Sequence, residues 1–312
     1  MPDIIALGEP LIELNRPKGE SHFVMGCGGD VSNAMVAAAR QGASTGMATA
    51  VGADEFGEAL LDLWRREGVD AGRVLTHPSA PTGLYFVSHS VAGHSFSYRR
   101  EGSAASLYGL EDLPREAITA AKILHVSGIS QAISTRAADG VFEALALARA
   151  AGVLLSYDTN IRLKLWPIAR ARAVIHEAMT NIDIALPGLD DARLLVGVED
   201  PDAIADRYLG FGARIVALKL GSEGCLIATA QERRRFPPIR VDAVDATGAG
   251  DTFDGAFLAE YLATADPFRA GLYANVAAAL STRGYGAVDP MPHRPEVMQA
   301  LARLGLDPDP AA

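Results

Sequence analysis

The chain contains little cysteine, and the positions of the two that occur exclude several kinds of site. Cys27 and Cys225 are the only cysteines among 312 residues, and their spacing matches no metal or redox motif. We interpret both as small buried hydrophobic residues in a reducing compartment. The sequence also lacks a signal-peptide pattern at its start and a run of about 18 apolar residues. We therefore expect a cytoplasmic protein without a membrane span.

Two common nucleotide signatures and a basic surface are also missing. No Gly-Lys dipeptide occurs, which excludes a Walker A loop, and no Gly-x-Gly-x-x-Gly occurs, which removes the usual dinucleotide fingerprint. The formal net charge of −10 argues against a general nucleic-acid surface. An anionic substrate would therefore have to be bound by local cations and helix ends.

Short apolar runs alternate with amphipathic ones for most of the length. This order predicts an α/β fold with a parallel sheet covered by helices on both faces. The predicted strands are Ile4–Leu7, Gly46–Val51, Ile123–Val126, Val153–Tyr157, Ile182–Leu186 and Ile215–Leu218. The predicted helices are Val31–Arg40, Glu55–Glu67, Arg136–Ala151, Ala169–Met179 and Ala203–Phe211, and from Gly250 onward the chain is expected to be nearly all helical.

Two segments do not fit this alternation. Leu11–Asn15 and His22–Met25 could form one small strand pair, and Leu84–Ser90 with His94–Arg100 has the pattern of a hairpin around Ala92-Gly93. We expect both to leave the main sheet and form a separate small sheet that acts as a lid. The tail, residues 307–312, is rich in proline and alanine and is expected to fray.

The most informative stretch, Asp-Ala-Thr-Gly-Ala-Gly-Asp at residues 245–251, leads directly into a helix-like run, Thr252–Thr264. Small residues at a helix start leave backbone N–H groups unpaired, and the helix dipole adds positive potential, so the stretch predicts an anion site. The Asp251 carboxylate would repel an anion, unless it removes a proton from a hydroxyl that attacks that anion. The alternative is an ordinary capped loop.

A second segment reads Gly-Gly-Asp-Val-Ser-Asn-Ala from Gly28. The paired glycines allow the backbone to approach a ligand closely, and Asp30 and Asn33 lie one turn apart at a helix start. These groups suit a polyhydroxylated ligand, so Gly28, Gly29, Asp30 and Asn33 are substrate-binding candidates. The alternative is a capped helix with Asp30 near its N-terminus.

Together the two segments resemble the two signature regions of the ribokinase-like (PfkB) carbohydrate kinase family. Gly-Gly-Asp-x-x-Asn-x-Ala and Asp-x-x-Gly-Ala-Gly-Asp stand more than 200 residues apart in the family's order, and the resemblance covers essentially the whole chain. It implies an α/β ribokinase-like three-layer fold with a mostly parallel central sheet flanked by helices. It also implies one kinase domain over residues 1–312, with a β-sheet lid formed by about residues 11–27 and 82–103.

The resemblance also implies roles for individual residues. Asp251 would be the base that deprotonates a sugar hydroxyl, while the N–H groups of Gly248, Ala249 and Gly250 would stabilise charge on the transferring phosphoryl group. The implied ATP contacts are Lys219, Gly221, Gly224, Gly248, Gly250 and Asn275.

The resemblance further implies Mg²⁺ as a cofactor and makes a monovalent cation such as K⁺ an additional candidate. Where the family usually has Asn-x-x-Glu near the metal, this chain has Gly188-Leu189-Asp190-Asp191. Asp191 is therefore the candidate metal ligand, since Gly188 cannot replace an amide.

Positively charged residues near the predicted lid and strand ends indicate the acceptor. Phe96, Tyr98 and Arg100 share one face of the hairpin through the two-residue period of a strand. Asn160 and Arg162 follow a buried strand, at the end where open α/β sheets bind ligands. Two arginines converging on a carboxylate could each contribute about 1.5–3 kcal/mol, which favours a sugar acid. The alternative for Arg162 is a surface ion pair.

Within the family, three segments look like 2-keto-3-deoxygluconate kinases: Thr82–Tyr85, Tyr98–Ala104 and Asp158–Trp166. This similarity adds Tyr85 to the acceptor site, although a lid dimer interface is the alternative for both tyrosines. Some such kinases carry an aspartate where this chain has Tyr285, so the chain lacks a carboxylate that would contact the substrate there.

We therefore expect an ATP-dependent kinase that phosphorylates the primary hydroxyl of 2-keto-3-deoxy-D-gluconate. The nearest alternative is a fructokinase or another neutral-sugar kinase of the family, because fructokinases share a similar Asp-x-Asn-x-Arg run. A non-catalytic regulator that binds sugar or nucleotide is an alternative of another class. We also expect no nucleic-acid partner and a homo-oligomer, a dimer paired through the lid, because a small sheet with bare edges is unstable alone.

Overall fold

The structure, a computed structural model, describes residues 1–16, 19–90 and 93–306, and at residues 89, 90 and 93–96 it describes the backbone alone. Short β-branched and aliphatic runs form the strands, as expected for buried positions. The strands are β1 (Ile4–Leu7), β2 (Leu11–Arg16), β3 (Val24–Gly28), β4 (Thr45–Gly52), β5 (Val74–His77), β6 (Leu84–Ser90), β7 (Gly93–Arg99), β8 (Ile123–Ser127), β9 (Leu154–Asp158), β10 (Ile184–Ala185), β11 (Ile215–Lys219), β12 (Cys225–Ala228) and β13 (Arg233–Phe236).

Helices connect most of these strands, and several begin at a side chain that caps the first turn, such as Asp54, Ser134 and Asp200. The helices are α1 (Asp30–Arg40), α2 (Glu55–Glu67), α3 (Ala104–Leu107), α4 (Arg115–Ala120), α5 (Gly128–Ala132), α6 (Thr135–Ala150), α7 (Ile168–Met179), α8 (Leu189–Val196), α9 (Pro201–Phe211), α10 (Ala249–Thr264), α11 (Pro267–Ser281) and α12 (Arg294–Leu304).

The larger sheet has nine strands in the order β13-β12-β11-β10-β9-β8-β1-β4-β5. The strands from β11 to β5 run parallel, whereas β12 and β13 pair antiparallel at one edge. The mostly parallel sheet predicted from the alternating pattern is confirmed. The edge strands β12 and β13 and the strand β5 were not predicted.

Helices cover both faces of this sheet, because successive side chains of a strand point to opposite faces. On β1, Ile5 and Leu7 pack into one hydrophobic cluster with α4 and α6–α9, while Ile4 and Ala6 pack into the other with α1, α2 and α10–α12. The three-layer arrangement follows from strands that are apolar on both faces.

The predicted lid strands form a separate sheet of four strands in the order β3-β2-β6-β7. β2 pairs antiparallel with β3 and parallel with β6, and β6 and β7 form the predicted hairpin. The two strand pairs therefore join into one sheet, an arrangement that the sequence pattern left open. The side chain of Phe96 and the tail at 307–312 lie outside the described residues.

Among the described residues, no helix combines the length and the apolar character that crossing a membrane requires. The cytoplasmic location stays a prediction from the sequence.

Candidate active site

A cleft of about 820 Å³ opens where the parallel strands end, between the carboxyl edge of the large sheet and the lid. Ligands bind in this position in open α/β sheets. Most of the predicted site residues line it together: Gly29, Asp30, Asn33, Tyr85, Tyr98, Arg100, Asn160, Arg162, Asp191, Lys219, Gly221, Gly248, Gly250 and Asp251.

The loop before α10 presents backbone N–H groups to this cleft. Gly248 has φ 74°, in the left-handed region that favours glycine, and a Cβ there would lie 2.8 Å from the Ala287 carbonyl oxygen. Within the part of the chain that the structure describes, the N–H groups of Gly248 and Gly250 have no hydrogen-bond acceptor, whereas that of Ala249 donates to the Ala246 carbonyl at 3.2 Å. Two of the three predicted N–H donors are therefore available to an anion.

Asp251 lies in the first turn of α10, and its carboxylate lines the same cleft. Its Oδ2 accepts a 2.8 Å hydrogen bond from the side-chain amide of Asn33 on α1. Burial raises the pKa of Asp251 to about 7, and repulsion from Asp30 adds to this, while the Asn33 hydrogen bond and the Lys219 charge act in the opposite direction. A carboxylate with this pKa can accept a proton near neutral pH.

Asp30 and Asn160 form a second polar pair in the cleft. The Asn160 amide donates to Asp30 Oδ2 at 2.8 Å, and Asn160 has φ 24°, a strained conformation for a residue other than glycine. Asp30 Oδ1 and Asn33 Oδ1 are buried and have no hydrogen-bond partner among the described residues. Unpaired buried acceptors are costly, so these oxygens are suited to hydroxyl donors of a bound ligand.

Lys219 ends β11 and reaches two carboxylates. Its Nζ lies 2.8 Å from both carboxylate oxygens of Asp254 and 3.1 Å from Asp158 Oδ1. These neighbours raise the pKa of Lys219 above its ordinary value in spite of burial. Lys219 lines the cleft as predicted, but its ammonium faces acidic side chains.

The lid contributes two stacked tyrosines to the cleft. Tyr85 and Tyr98 are paired across β6 and β7, with ring centroids 6.0 Å apart. The Tyr85 hydroxyl donates to Glu13, and a Cβ at Gly28 would lie 2.8 Å from that hydroxyl. Gly28 therefore provides space for Tyr85 without itself lining the cleft.

Arg100 follows β7, and its guanidinium forms an ion pair with Glu9, which follows β1. Glu9 is 1% exposed and Arg100 is 9% exposed, so both charges are removed from solvent. Burial raises the pKa of Glu9, and the charge of Arg100 opposes that rise. The sequence predicted that the Arg100 guanidinium binds a substrate carboxylate. In the structure it is already paired with a carboxylate of the protein itself, that of Glu9.

Arg162 and Asp191 lie at another wall of the cleft. Arg162 is exposed, and none of the described carboxylates lies within ion-pair distance of it, so the predicted alternative of a surface ion pair is absent. Asp191 Oδ2 accepts from the Ile161 N–H at 3.0 Å. Burial, together with the nearby Asp158, raises the pKa of Asp191 to about 6.

Some predicted residues do not line the cleft. The Asn275 amide donates to the Pro237 carbonyl at 2.8 Å, and Asn275 is 7% exposed. Gly224 has φ 92°, and a Cβ there would lie 2.1 Å from the Phe236 carbonyl oxygen, so this glycine allows β12 and β13 to approach. Contacts of either residue with ATP remain predictions.

The sequence analysis did not single out two residues at the site, Glu9 and Asp254. Asp254 lies three residues after Asp251 on α10, a spacing that places both on one side of the helix. That spacing could have identified Asp254 from the sequence. The contact between Glu9 and Arg100 could not be predicted in this way, because it joins residues 91 positions apart.

Comparison with known proteins identifies the family. The pfkB family carbohydrate kinase domain matches residues 1–294. The chain belongs to this family. It is 36% identical to a 2-dehydro-3-deoxygluconokinase of Thermoproteus tenax, over 97% of this chain and 95% of that protein. It is 34% identical to a protein of the same name in Bacillus subtilis (90% and 88% covered) and 30% identical to fructokinase-1 of Zea mays (90% and 90%).

Solved structures share the fold of this PfkB chain. A PfkB protein from Polaromonas sp. JS666 matches with a TM-score of 0.87 and 28% identity, over 96% of this chain and 99% of the other. A fructokinase from Xylella fastidiosa with bound ATP matches with a TM-score of 0.89 and 25% identity (98% and 100%). A double-mutant fructokinase from Vibrio cholerae, bound to fructose, ADP and potassium, matches with 0.86 and 25% (96% and 98%). The predicted ribokinase-like fold is thereby confirmed.

Proposed function

We propose that this PfkB chain transfers the γ-phosphoryl group of ATP to the primary hydroxyl of 2-keto-3-deoxy-D-gluconate, giving its 6-phosphate. One observation carries the chemistry: the Asp251 carboxylate and the free N–H groups of Gly248 and Gly250 belong to one helix N-terminus and face one cleft. The similarity to two proteins named 2-dehydro-3-deoxygluconokinase supports the acceptor.

Asp251 acts as the base in this proposal. As the sugar oxygen attacks the γ-phosphorus, its hydroxyl proton passes to the Asp251 carboxylate and ADP leaves with the electrons of the broken P–O bond. The hydrogen bond from Asn33 holds one carboxylate oxygen, which orients the other toward the cleft. Proton removal near neutral pH suits a carboxyl group whose pKa burial raises to about 7.

The Gly248 and Gly250 N–H groups stabilise the phosphoryl group during transfer. They are fixed by the helix, and the positive end of the α10 dipole points at the same place. Such prearranged donors lower the barrier, because charge on the transferring group meets dipoles that do not have to reorient. Ala249 has its N–H engaged with Ala246 and contributes less.

The sugar is held by hydroxyl acceptors and by arginine. Asp30 Oδ1 and Asn33 Oδ1 accept from sugar hydroxyls, which satisfies two buried oxygens. None of the described carboxylates lies within ion-pair distance of Arg162, and its guanidinium takes the carboxylate of the sugar acid. The guanidinium of Arg100 forms an ion pair with Glu9, and its other N–H groups donate to the sugar from the lid side of the cleft.

Residues beyond the anion loop suit ATP and Mg²⁺. Gly221 has φ 61° and lines the cleft next to α10, where a backbone can approach a nucleotide. Magnesium is commonly held by one or two carboxylates together with substrate phosphates, and the cleft-lining Asp191 fits that donor set. When bound there, Mg²⁺ would neutralise phosphate charge. A monovalent cation such as K⁺ is a further proposed ligand, supported by the potassium-bound fructokinase.

A neutral ketose such as fructose is the second candidate acceptor. The observation that favours it is the pairing of Arg100 with Glu9, which leaves one unpaired arginine rather than two for a carboxylate. The similarity to fructokinase-1 of Zea mays points the same way.

A coupled assay for ADP decides between these functions. We expect kcat/KM for 2-keto-3-deoxy-D-gluconate to exceed that for fructose at least tenfold, with 6-phosphorylated product identified by NMR. A higher value for fructose would establish the second candidate instead. ATP and sugar binding without any turnover would indicate the non-catalytic regulator.

A further inference from the structure

Between α11 and α12 the chain forms neither helix nor strand, and this connecting segment (residues 282–293) is hydrogen-bonded to the anion loop (residues 245–250). The Asp245 N–H donates to the Thr282 carbonyl at 3.1 Å, and the Gly286 N–H donates to Asp245 Oδ2 at 3.0 Å. The two stretches are therefore joined through both the backbone and the side chain of Asp245.

The connecting segment also packs directly against the N-terminus of α10. A Cβ on Gly248 would lie 2.8 Å from the Ala287 carbonyl oxygen and 2.9 Å from Ala287 Cα, so the two backbones are in contact. Ala287 is 5% exposed and lines the cleft together with Gly248. A displacement of Ala287 would therefore remove the support of the Gly248 N–H group.

Arg40, at the C-terminal end of α1, binds the connecting segment through its carbonyl groups. Its Nη1 donates to the Val288 carbonyl at 3.0 Å and to the Met291 carbonyl at 2.6 Å, and the Asp289 carbonyl is further away at 3.4 Å. This nitrogen carries two N–H donors, so the two shorter contacts use both. Because Met291 is 2% exposed, loss of the guanidinium would leave its carbonyl without a donor among the described residues.

The Glu67 carboxylate, at the end of α2, holds the same guanidinium from its other side. Arg40 Nε donates to Glu67 Oε2 and Arg40 Nη2 donates to Oε1, each at 2.8 Å, which is the bidentate arrangement of a strong ion pair. The side chain of Arg40 is 9% exposed. The direction of Nη1 toward the connecting segment is therefore fixed, and a lysine could not reproduce it because its donors share one nitrogen.

We propose that Arg40 is a positioning residue for phosphoryl transfer. Through the connecting segment it holds the anion loop, and with it the Gly248 N–H group, in the place where that group meets the transferring phosphoryl group. Arg40 is not among the described residues that line the cleft, so its action is indirect. This inference rests on the proposed role of the Gly248 N–H group.

The sugar-binding end of α1 is held by other contacts. There the Asn33 amide donates to Asp251. Asp30 in turn accepts from the Asn160 amide. Binding of the sugar should therefore survive the loss of Arg40, whereas the donors that act on the transferring group should lose their alignment. An interaction that acts only in the transition state is measured in kcat and not in KM.

The first test is the steady-state kinetics of Arg40→Met with ATP and the accepted sugar. We expect kcat to fall by about 10–100-fold, because a misplacement of about 1 Å can cost about 10²-fold in rate. The KM for the sugar should change by less than about twofold.

Arg269→Met is the matched control. It removes another partly buried arginine, which pairs with Glu260 at 2.8 Å and lies outside the cleft. This variant should lower Tm without lowering kcat. An equal fall of kcat in Arg40→Met and Arg269→Met would overturn the inference, and so would a rise in the sugar KM that matches the fall in kcat.

Hydrogen exchange measured by mass spectrometry provides a readout that needs no turnover. The full-length variants are compared well below their Tm. In Arg40→Met we expect faster exchange in residues 244–252, because the acceptor of the Asp245 N–H is no longer fixed, and wild-type exchange in residues 30–38. Arg269→Met should exchange like the wild type in residues 244–252. Unchanged exchange there in Arg40→Met would overturn the inference.

If Arg40→Met does not fold, as judged by circular dichroism, Arg40→Lys carries both tests. Lysine keeps the positive charge beside Glu67 but lacks the second and third nitrogens, so we expect the same changes at a smaller size, with kcat lowered about threefold to tenfold. Wild-type kcat and exchange in that variant would then overturn the inference. A wild-type enzyme that phosphorylates neither sugar would instead defeat the proposed function, and hydrogen exchange would still test the role of Arg40.

Discussion

The side-chain amide of Asn33 donates a 2.8 Å hydrogen bond to the carboxylate of Asp251, joining the first helix to the tenth across 218 residues of sequence. This bond holds the proposed base and favours its ionised form. It also brings together the two motifs on which the family resemblance rests. Several expectations depend on this contact and its neighbours.

Replacement of Asn33 by alanine should move the acidic limb of the pH profile to higher pH. The lost donor stabilises the carboxylate, and hydrogen bonds to charged groups contribute about 1.5–3 kcal/mol, equivalent to about one to two pH units. The measurement is kcat/KM against pH. Asn181→Ala, at an exposed amide bonded to Thr180, should leave the profile unchanged. An unmoved limb in Asn33→Ala would mean that Asp251 is not the titrating group.

Asp251→Asn should reduce kcat by about 10²–10⁴-fold, the usual contribution of a positioned base. The same variant should melt at a higher temperature than the wild type at pH 8. The folded-state pKa of Asp251 is raised to about 7, so ionisation costs stability as the pH rises above about 4. The gain in Tm should therefore shrink as the pH falls to about 4. A loss of Tm at pH 8 would contradict the burial argument.

Arg162→Ala should lower kcat/KM for the sugar acid by about 10–100-fold, corresponding to one charge-assisted interaction, and should leave Tm unchanged. Arg170→Ala, at an exposed arginine bonded to Thr135, is the matched control.

Arg100→Ala should behave differently, because it leaves the buried carboxylate of Glu9 without its cation. Breaking such a buried pair costs about 3–5 kcal/mol, so we expect a lower Tm as well as a higher KM. Wild-type Tm in Arg100→Ala would show that Glu9 is satisfied without its partner.

Glu260 should be required for stability and not for turnover. Its side chain is 0% exposed and accepts from Arg269 and Arg294, each at 2.8 Å, which ties α10 to α11 and α12. Glu260→Ala removes a buried carboxylate that both arginines contact, and should lower the free energy of unfolding by about 1–3 kcal/mol. Denaturant unfolding measures this. Glu232→Ala, at an exposed ion pair with Arg234, should cost little. A large change in KM would contradict a purely structural role.

The lid should pair two copies of the chain. Phe23, Val24 and Met25 are 42%, 52% and 53% exposed, and they lie on or next to β3, an edge strand of the small sheet. We expect a dimeric mass by light scattering and a monomeric one for Met25→Glu. Met298→Glu, at an exposed methionine on α12, is the control. A monomeric wild type would remove this expectation.

The sequence alone determined the fold class and pointed to both segments that line the candidate active site. Short continuous apolar runs predicted the central strands β1, β4, β8 and β9, since strands that are buried on both faces are apolar throughout. The edge strands β12 and β13 were not predicted. Arg233–Phe236 is mostly polar and exposed, so this edge of the sheet lacks the continuous apolar run that marks a buried strand.

The tertiary structure decided which charges are free. Arg100 and Lys219 were both predicted as ligand-binding cations, and both are paired with buried carboxylates, Glu9 and Asp254. A local pattern specifies which residue types are present and which face they share. The partner of a buried charge is set by packing between elements distant in sequence, where desolvation makes an unpaired ion too costly to keep.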